Sequence, residues 1–416
     1  MCGSSESGRP RRAHTHFWSA DGTGILTGAA SKSRLLNRSL RDGEIASQRY
    51  LNLSGLRSGF VPEKTPQLDA VRGVAVLLVI MVHATAKYPS LHLERMFAAG
   101  WMGVDLFFVL SGFLITRILL RTKRFPGYFK NFYARRCLRI WPLYYSLLLF
   151  MFVGIPLLRP SEAATVFERR SSPWWSYPLF LQNFLVPTPT MATGPLGVTW
   201  SLAIEEQFYL VWPWVVRYCS RSQLRRIAVA VICVSPALRL YLSLHHVNVY
   251  SNVFCRLDGL MAGSLLALFL HSRASCPPRF LKLAWVCLVV AAPLALLANA
   301  LDALWAVLSF TAIAAAGFIF VSLFSPQRWL HAAMTNRLLV YTGTISYGLY
   351  LLHKIPFDMA QTLQLARYPV LTLPIGLVAA YAMAALSWNG LERPFLRLKR
   401  LYVSQAAAGA NDHDRE

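Results

Sequence analysis

The residues with chemistry to offer stand in unusual places. Ionisable side chains interrupt long apolar runs: Arg72 and His83 in "LDAVRGVAVLLVIMVHA", Asp105 in "GVDLFFVLSGFLIT", and Glu205 and Glu206, with Trp200, in "WSLAIEEQFYLVWP". Arg256 and Asp258 follow in "CRLDGLMAGSLLA", and His353 ends "SYGLYLLH". A charge in such a run costs about 2.5–3.5 kcal/mol to insert into a bilayer, so each one invites a functional reason. An imidazole can take a proton at neutral pH, and guanidinium groups grip phosphate through paired hydrogen bonds. Arg72 and His83 are eleven residues apart. That is about 1100° of helix, within about 20° of whole turns, and about 16 Å of rise, so both lie on one stripe. A second group, Arg135, Arg136 and Arg139, sits in "RFPGYFKNFYARRCLRIWPLYY". Arg136 and Arg139, at i and i+3, point the same way and suit an anion.

The apolar runs are the elements that must position these groups, and each is near the ~20 residues that cross a bilayer core. Over 416 residues, 55% are hydrophobic and 15% charged, and mean hydropathy is +0.41, more apolar surface than an aqueous core absorbs. Twelve Trp and seventeen Tyr suit aromatic belts at the two interfaces. The expectation is an all-α, polytopic membrane helix bundle with about ten transmembrane helices. The spans are 69–86, 102–120, 141–158, 201–217, 227–244, 253–271, 283–299, 303–324, 338–356 and 370–391. Residues 1–64, rich in Ser, Gly and Arg, read as a disordered basic tail; 65–396 form the transmembrane domain, and 397–416 a second tail.

Lys and Arg set the orientation. Alternate loops beginning with 117–141 carry 17 of them, and the other set carries 9 although it includes the longest loop, 159–200. By the positive-inside rule the richer set and both termini are cytoplasmic. His83, Asp105, Glu205, Glu206, Arg256, Asp258 and His353 then all fall in the outer half of the membrane. A shared polar cavity opening outwards is expected, with the Arg135–Arg139 group at the cytoplasmic start of the third span.

Several function classes are excluded. The net charge of +23 lies mostly in tails and short loops, and no groove-reading motif accompanies it, so nucleic acid is not an expected partner; the lipid bilayer is. Seven Cys include no CxxC pair, which implies no disulfide framework, and no cleavable signal peptide is expected. His245 and His246 are adjacent instead of at i and i+4, so no metal site is expected. No internal repeat is visible, which counts against a secondary transporter, the main alternative class.

Taken in order, these segments resemble the acyltransferase-3 family of membrane O-acyltransferases, which includes bacterial enzymes that acetylate cell-surface sugars. The likeness covers roughly residues 66–396. It rests on Arg72 and His83, "GVDLFFVLSGF", the Arg136–Arg139 pair, "WSLAIEEQFYL" and "SYGLYLLH". The resemblance implies transfer of an acyl group, most often acetyl from acetyl-CoA, to a hydroxyl of a carbohydrate, glycolipid or small-molecule acceptor. It makes His83 and Arg72 the functional pair and puts the arginine pair on the cytoplasmic, donor side of the plasma membrane. On that basis His83 is a general base or transient acyl carrier, with Asp105 orienting its imidazole. Arg72 serves the donor or the cavity's inner end, and Arg135, Arg136 and Arg139 hold the acyl-CoA phosphates. Trp200, Glu205, Glu206, Arg256, Asp258 and His353 form the acceptor side, and which glutamate faces inward stays open. Some relatives carry a further extracytoplasmic hydrolase-like domain; the chain runs about 25 residues past its last expected span, so the stand-alone form is expected. Nothing in the sequence specifies an oligomeric state.

Overall fold

The computed structural model describes residues 65–158, 172–185, 194–271, 278–301 and 303–402. The expected N-terminal tail, residues 403–416 of the C-terminal one and much of the loop 159–200 lie outside the described residues. Among the described residues the regular structure is helical, with no strands. Apolar sequence in lipid leaves the backbone no water to bond, and a helix satisfies each N–H and C=O within its own segment.

Among the described residues, eight helical stretches are long and apolar enough to cross a membrane: Pro66–Thr85, Glu94–Thr122, Tyr128–Leu158, Arg221–Leu244, Val253–His271, Pro278–Ala300, Ala306–Phe324 and Pro369–Tyr402. The protein is therefore a multi-pass membrane protein, and the expected count of about ten is not met on that measure. Two expected spans account for the difference. The fourth exists as a helix, Thr199–Tyr218, of 20 residues, but Glu205, Glu206, Gln207 and Arg217 make it too polar. The ninth is broken into Arg337–Thr344, Ser346–Leu352 and Lys354–Thr362. Its sequence, "YTGTISYG", explains the break. Thr342 and Thr344 bond back to the carbonyls of Leu338 and Val340, both at 2.9 Å, a contact that bends helices. The last stretch also outruns expectation. It passes through a π turn at Trp388–Glu392 and ends in a 3-10 turn, Leu398–Tyr402, so residues 398–402 of the expected tail are helical.

The principal helices are α1 (Pro66–Thr85), α2 (Gly103–Thr122), α3 (Tyr128–Leu149), α4 (Thr199–Tyr218), α5 (Arg221–Leu244), α6 (Val253–His271), α7 (Pro278–Ala300), α8 (Leu304–Phe324), α9 (Arg337–Thr344), α10 (Ser346–Leu352), α11 (Lys354–Thr362) and α12 (Pro369–Ser387). The stretch containing α2 is the axis, being 78% buried, whereas α5 and α7 are each 17% buried and turn outward. Their exposed Val234, Val289 and Val290, with Val378 and Leu386 of α12, form the apolar surface that lipid covers. α2 and α6 touch backbone to backbone. A Cβ on Gly112 would strike the carbonyl of Leu260, and one on Gly263 the carbonyl of Val109. Close approach through small residues is how helices associate in lipid. Thr116 Oγ1 donates to Ser264 Oγ at 2.8 Å, and Trp212 Nε1 donates to Thr116 Oγ1 at 2.8 Å, joining α4 to this pair.

Candidate active site

A cavity of about 130 Å³ lies between α1, α2, α3, α4 and α10. Three arginines line it: Arg72 from α1, and Arg136 and Arg139 from α3. Their i, i+3 spacing lets Arg136 and Arg139 share one face of α3. The Arg136 guanidinium lies over the rings of Phe132 at 5.8 Å and Tyr209 at 5.5 Å. Arg72 is paired with Asp69 one turn earlier. Glu205 also lines the cavity, accepting hydrogen bonds from Ser111 Oγ at 2.7 Å and Tyr209 OH at 2.9 Å. The open question of the two glutamates is thereby answered. Glu205 faces the cavity, whereas Glu206 turns to Trp141 of α3, whose Nε1 donates to it at 3.4 Å. Phe107, Phe108, Leu110, Leu114 and Ile115 of α2 supply apolar wall, and Ser201 and Tyr350 join their hydroxyls at 2.5 Å within the same lining.

His83 does not line this cavity. Its Nδ1 lies 3.1 Å from Nε2 of His353 and 2.9 Å from the carbonyl oxygen of Val79. The two imidazole rings are 5.1 Å apart, and the His353 ring is 6.2 Å from that of Tyr350. A chain of rings thus runs from the cavity wall at Tyr350, through His353, to His83. His353 is fully buried, and its Nδ1 meets the carbonyls of Tyr350 at 2.8 Å and Leu349 at 3.1 Å.

The expected single cavity gathering charges from five helices is not what forms. Asp105, expected to orient His83, is instead ion-paired with Arg256 at 2.6 Å and accepts from Thr311 Oγ1 of α8 at 2.8 Å. Asp258 pairs with Arg239 at 2.8 Å, and Arg239 also donates to the carbonyl of Cys255 at 2.6 Å. All four side chains are buried, and their pairing offsets the several kcal/mol that each unpaired buried charge would cost. Trp200, Phe108 and Tyr250 enclose the Arg256 guanidinium at 5.5, 5.2 and 5.3 Å. Arg256 and Asp258, with Trp200 of α4 over the guanidinium, therefore join α2, α4, α5, α6 and α8 and lie outside the lining of this cavity. Arg135 also parts from its neighbours: it lines a separate hollow with Thr122, Phe125 and Asn131.

Sequence reading missed several residues of the site. Ser111, Tyr209, Ser201 and Tyr350 are ordinary in type, and nothing in their spacing marks them. Lys399, in the turn Leu398–Tyr402, lies within electrostatic reach of Arg139, Arg136, Arg135 and Arg72. Glu392 is carried inward by the π turn; it is buried, accepts from Ser387 Oγ at 3.1 Å and acts on Arg139. The one available signal was charge in "LERPFLRLKR", which reads equally well as an interfacial anchor. Among the described residues no cluster of three or more His, Cys, Asp or Glu could hold a metal ion.

A bundle of apolar helices with an arginine-lined cavity and motifs in this order defines a class of membrane protein, and comparison with known families agrees. The chain belongs to the acyltransferase-3 family, whose model, described as an acyltransferase domain, matches residues 65–388. Among curated relatives, the Putative O-acetyltransferase SACOL0978 of Staphylococcus aureus strain COL is 28% identical over 364 residues, covering 79% of this chain and 57% of that protein. The Putative peptidoglycan O-acetyltransferase YrhL of Bacillus subtilis is 28% identical over 363 residues, 79% of this chain and 54% of its own. O-acetyltransferase OatA of Staphylococcus aureus is 32% identical over 232 residues, 51% of this chain and 36% of its own. The chain thus spans about half the length of the curated relatives it matches. No solved structure matches it.

Proposed function

We propose that the chain is a membrane O-acyltransferase that moves an acyl group, acetyl in the first instance, from acyl-CoA to a hydroxyl of a carbohydrate or related acceptor. The observation that carries this reading is the cavity lined by Arg72, Arg136 and Arg139, whose wall at Tyr350 adjoins the His353–His83 pair. Arg72, Arg136 and Arg139, with Lys399 nearby, stand among Asp69, Glu205, Glu206 and Glu392, and guanidinium groups so clustered can grip a polyphosphate through paired hydrogen bonds. The phosphates of acyl-CoA meet Arg136, Arg139 and Arg72, and the pantetheine arm follows the apolar wall of α2. On the positive-inside orientation that mouth is cytoplasmic, in the plasma membrane, and His83 lies toward the outer face.

His83 acts as general base. Its unprotonated ring nitrogen takes the proton of the acceptor hydroxyl as the oxygen attacks the thioester carbonyl. The carbon–sulfur bond then breaks, and the departing CoA thiolate takes the proton back from His83. The name of the Bacillus subtilis relative points to peptidoglycan among carbohydrate acceptors.

The test uses membranes carrying the protein, labelled acetyl-CoA and a cell-wall glycan acceptor. Wild type should transfer label and release CoA thiol in equal amounts. His83→Ala should lose about 10²–10⁴-fold in rate, the usual worth of a general base. Undiminished transfer by His83→Ala would remove the assignment. Movement of a polar substrate across the bilayer without thiol release would favour a transporter.

A further inference from the structure

We propose that His353 is a positioning residue that holds His83 as its Nδ1–H tautomer, leaving the Nε2 lone pair for the proton transfer. This rests on His83 being the base. Each donor in the chain from the Tyr350 carbonyl to His83 forces the next. Carbonyl oxygens only accept, so His353 Nδ1, at 2.8 Å from the Tyr350 carbonyl and 3.1 Å from that of Leu349, carries a hydrogen. A neutral imidazole with hydrogen on Nδ1 has its lone pair on Nε2, and that atom is 3.1 Å from His83 Nδ1. His83 Nδ1 must then be the donor. The carbonyl of Val79 at 2.9 Å demands the same hydrogen.

Two acceptors on different elements fix that hydrogen better than one. The Val79 carbonyl, four residues back on α1, is also positioned to take the helix's own backbone N–H. His353 Nε2 comes from the junction of α10 and α11, 270 residues away, and holds the ring plane as well as the tautomer. The arrangement follows the logic of a base oriented by a third group, with an imidazole in the place a carboxylate often takes. When His83 gains a proton on Nε2, its Nδ1–H bond to His353 becomes charge-assisted and strengthens. Asp105 is not available for the task, since Arg256 and Thr311 already occupy its oxygens. Packing alone does not explain a fully buried imidazole beside Leu349 and Leu352, where an aliphatic side chain would fill the space at no polar cost.

The test compares His353→Leu, which keeps volume and loses the acceptor, with His353→Gln, whose Oε1 can accept in the place of Nε2. Activity is measured in membranes, and ¹⁵N-histidine spectra of the full chain in detergent read the His83 tautomer directly. His353→Leu should lower kcat about ten- to a hundredfold, part of what the base supplies, with KM for acyl-CoA unchanged. His353→Gln should recover most of that loss. In wild type the spectra should show hydrogen on His83 Nδ1, and in His353→Leu a mixture of the two tautomers. Equal losses in the two variants, or an unchanged His83 tautomer in His353→Leu, would overturn the proposal. The spectra keep it separable from the base assignment, which stands or falls on His83→Ala.

Discussion

Arg136 and Arg139 line the cavity while Arg135, one position away, lines a different hollow, because successive helix residues point about 100° apart. That difference is measurable. On the proposed donor role, Arg139→Ala removes a guanidinium that grips phosphate, and since charged hydrogen bonds are worth about 1.5–3 kcal/mol, the KM for acyl-CoA should rise about tenfold or more. Lys399→Ala should raise it in the same direction. Arg135→Ala should leave it within about twofold. Initial-rate kinetics at varied acyl-CoA tell these apart, and equal effects at Arg139, Lys399 and Arg135 would reduce the group to a topology signal. The Asp105–Arg256 pair behaves differently. Arg256→Met strands a buried carboxylate and should cost about 3–5 kcal/mol of stability. Thermal unfolding in detergent should show that loss, and adding Asp105→Asn should recover part of it.

At the scale of elements, α2 determines what the site can be. It supplies cavity wall through Leu110, Ser111 and Leu114, and it meets α6 through Gly112 and Gly263 on the other side. Those glycines are needed because neighbouring carbonyls occupy the space of a Cβ. Gly263→Leu should force the helices apart at about 1–3 kcal/mol or more, lowering both folded yield and acyl-CoA affinity. Size-exclusion chromatography and ligand binding report the two effects; a variant with native yield and affinity would show that the contact can relax. The broken ninth span has equal consequence. Its interruption near Ile345 and His353 lets α10 bring Tyr347 and Tyr350 to the cavity while His353 reaches α1.

Over the whole molecule, the ends of α1, α3 and the last helix that carry Arg72, Arg135, Arg136, Arg139 and Lys399 come together as one cationic face, with the turn around Arg124 just before α3. If that face is cytoplasmic, a cysteine replacing Arg124, in a background without the seven native ones, should react with an impermeant thiol reagent only after cells are opened. A cysteine replacing exposed Met96, after α1, should react in intact cells. The reverse pattern would invert the donor and acceptor sides.

Sequence by itself determined the membrane class, most helix positions, the family, and the i, i+3 arrangement of Arg136 and Arg139. These follow from local periodicity and from the cost of charge in an apolar run. Only the tertiary structure decided which charge answers which. His83 faces His353 and not Asp105, Thr311 reaches back 206 residues to Asp105, and Lys399 returns to the arginines of α3. A helix sequence specifies the face and depth of a side chain. Its partner depends on how whole helices are rotated and how closely they approach, and contacts such as that of Gly112 with the Leu260 backbone set this, across stretches no periodicity spans.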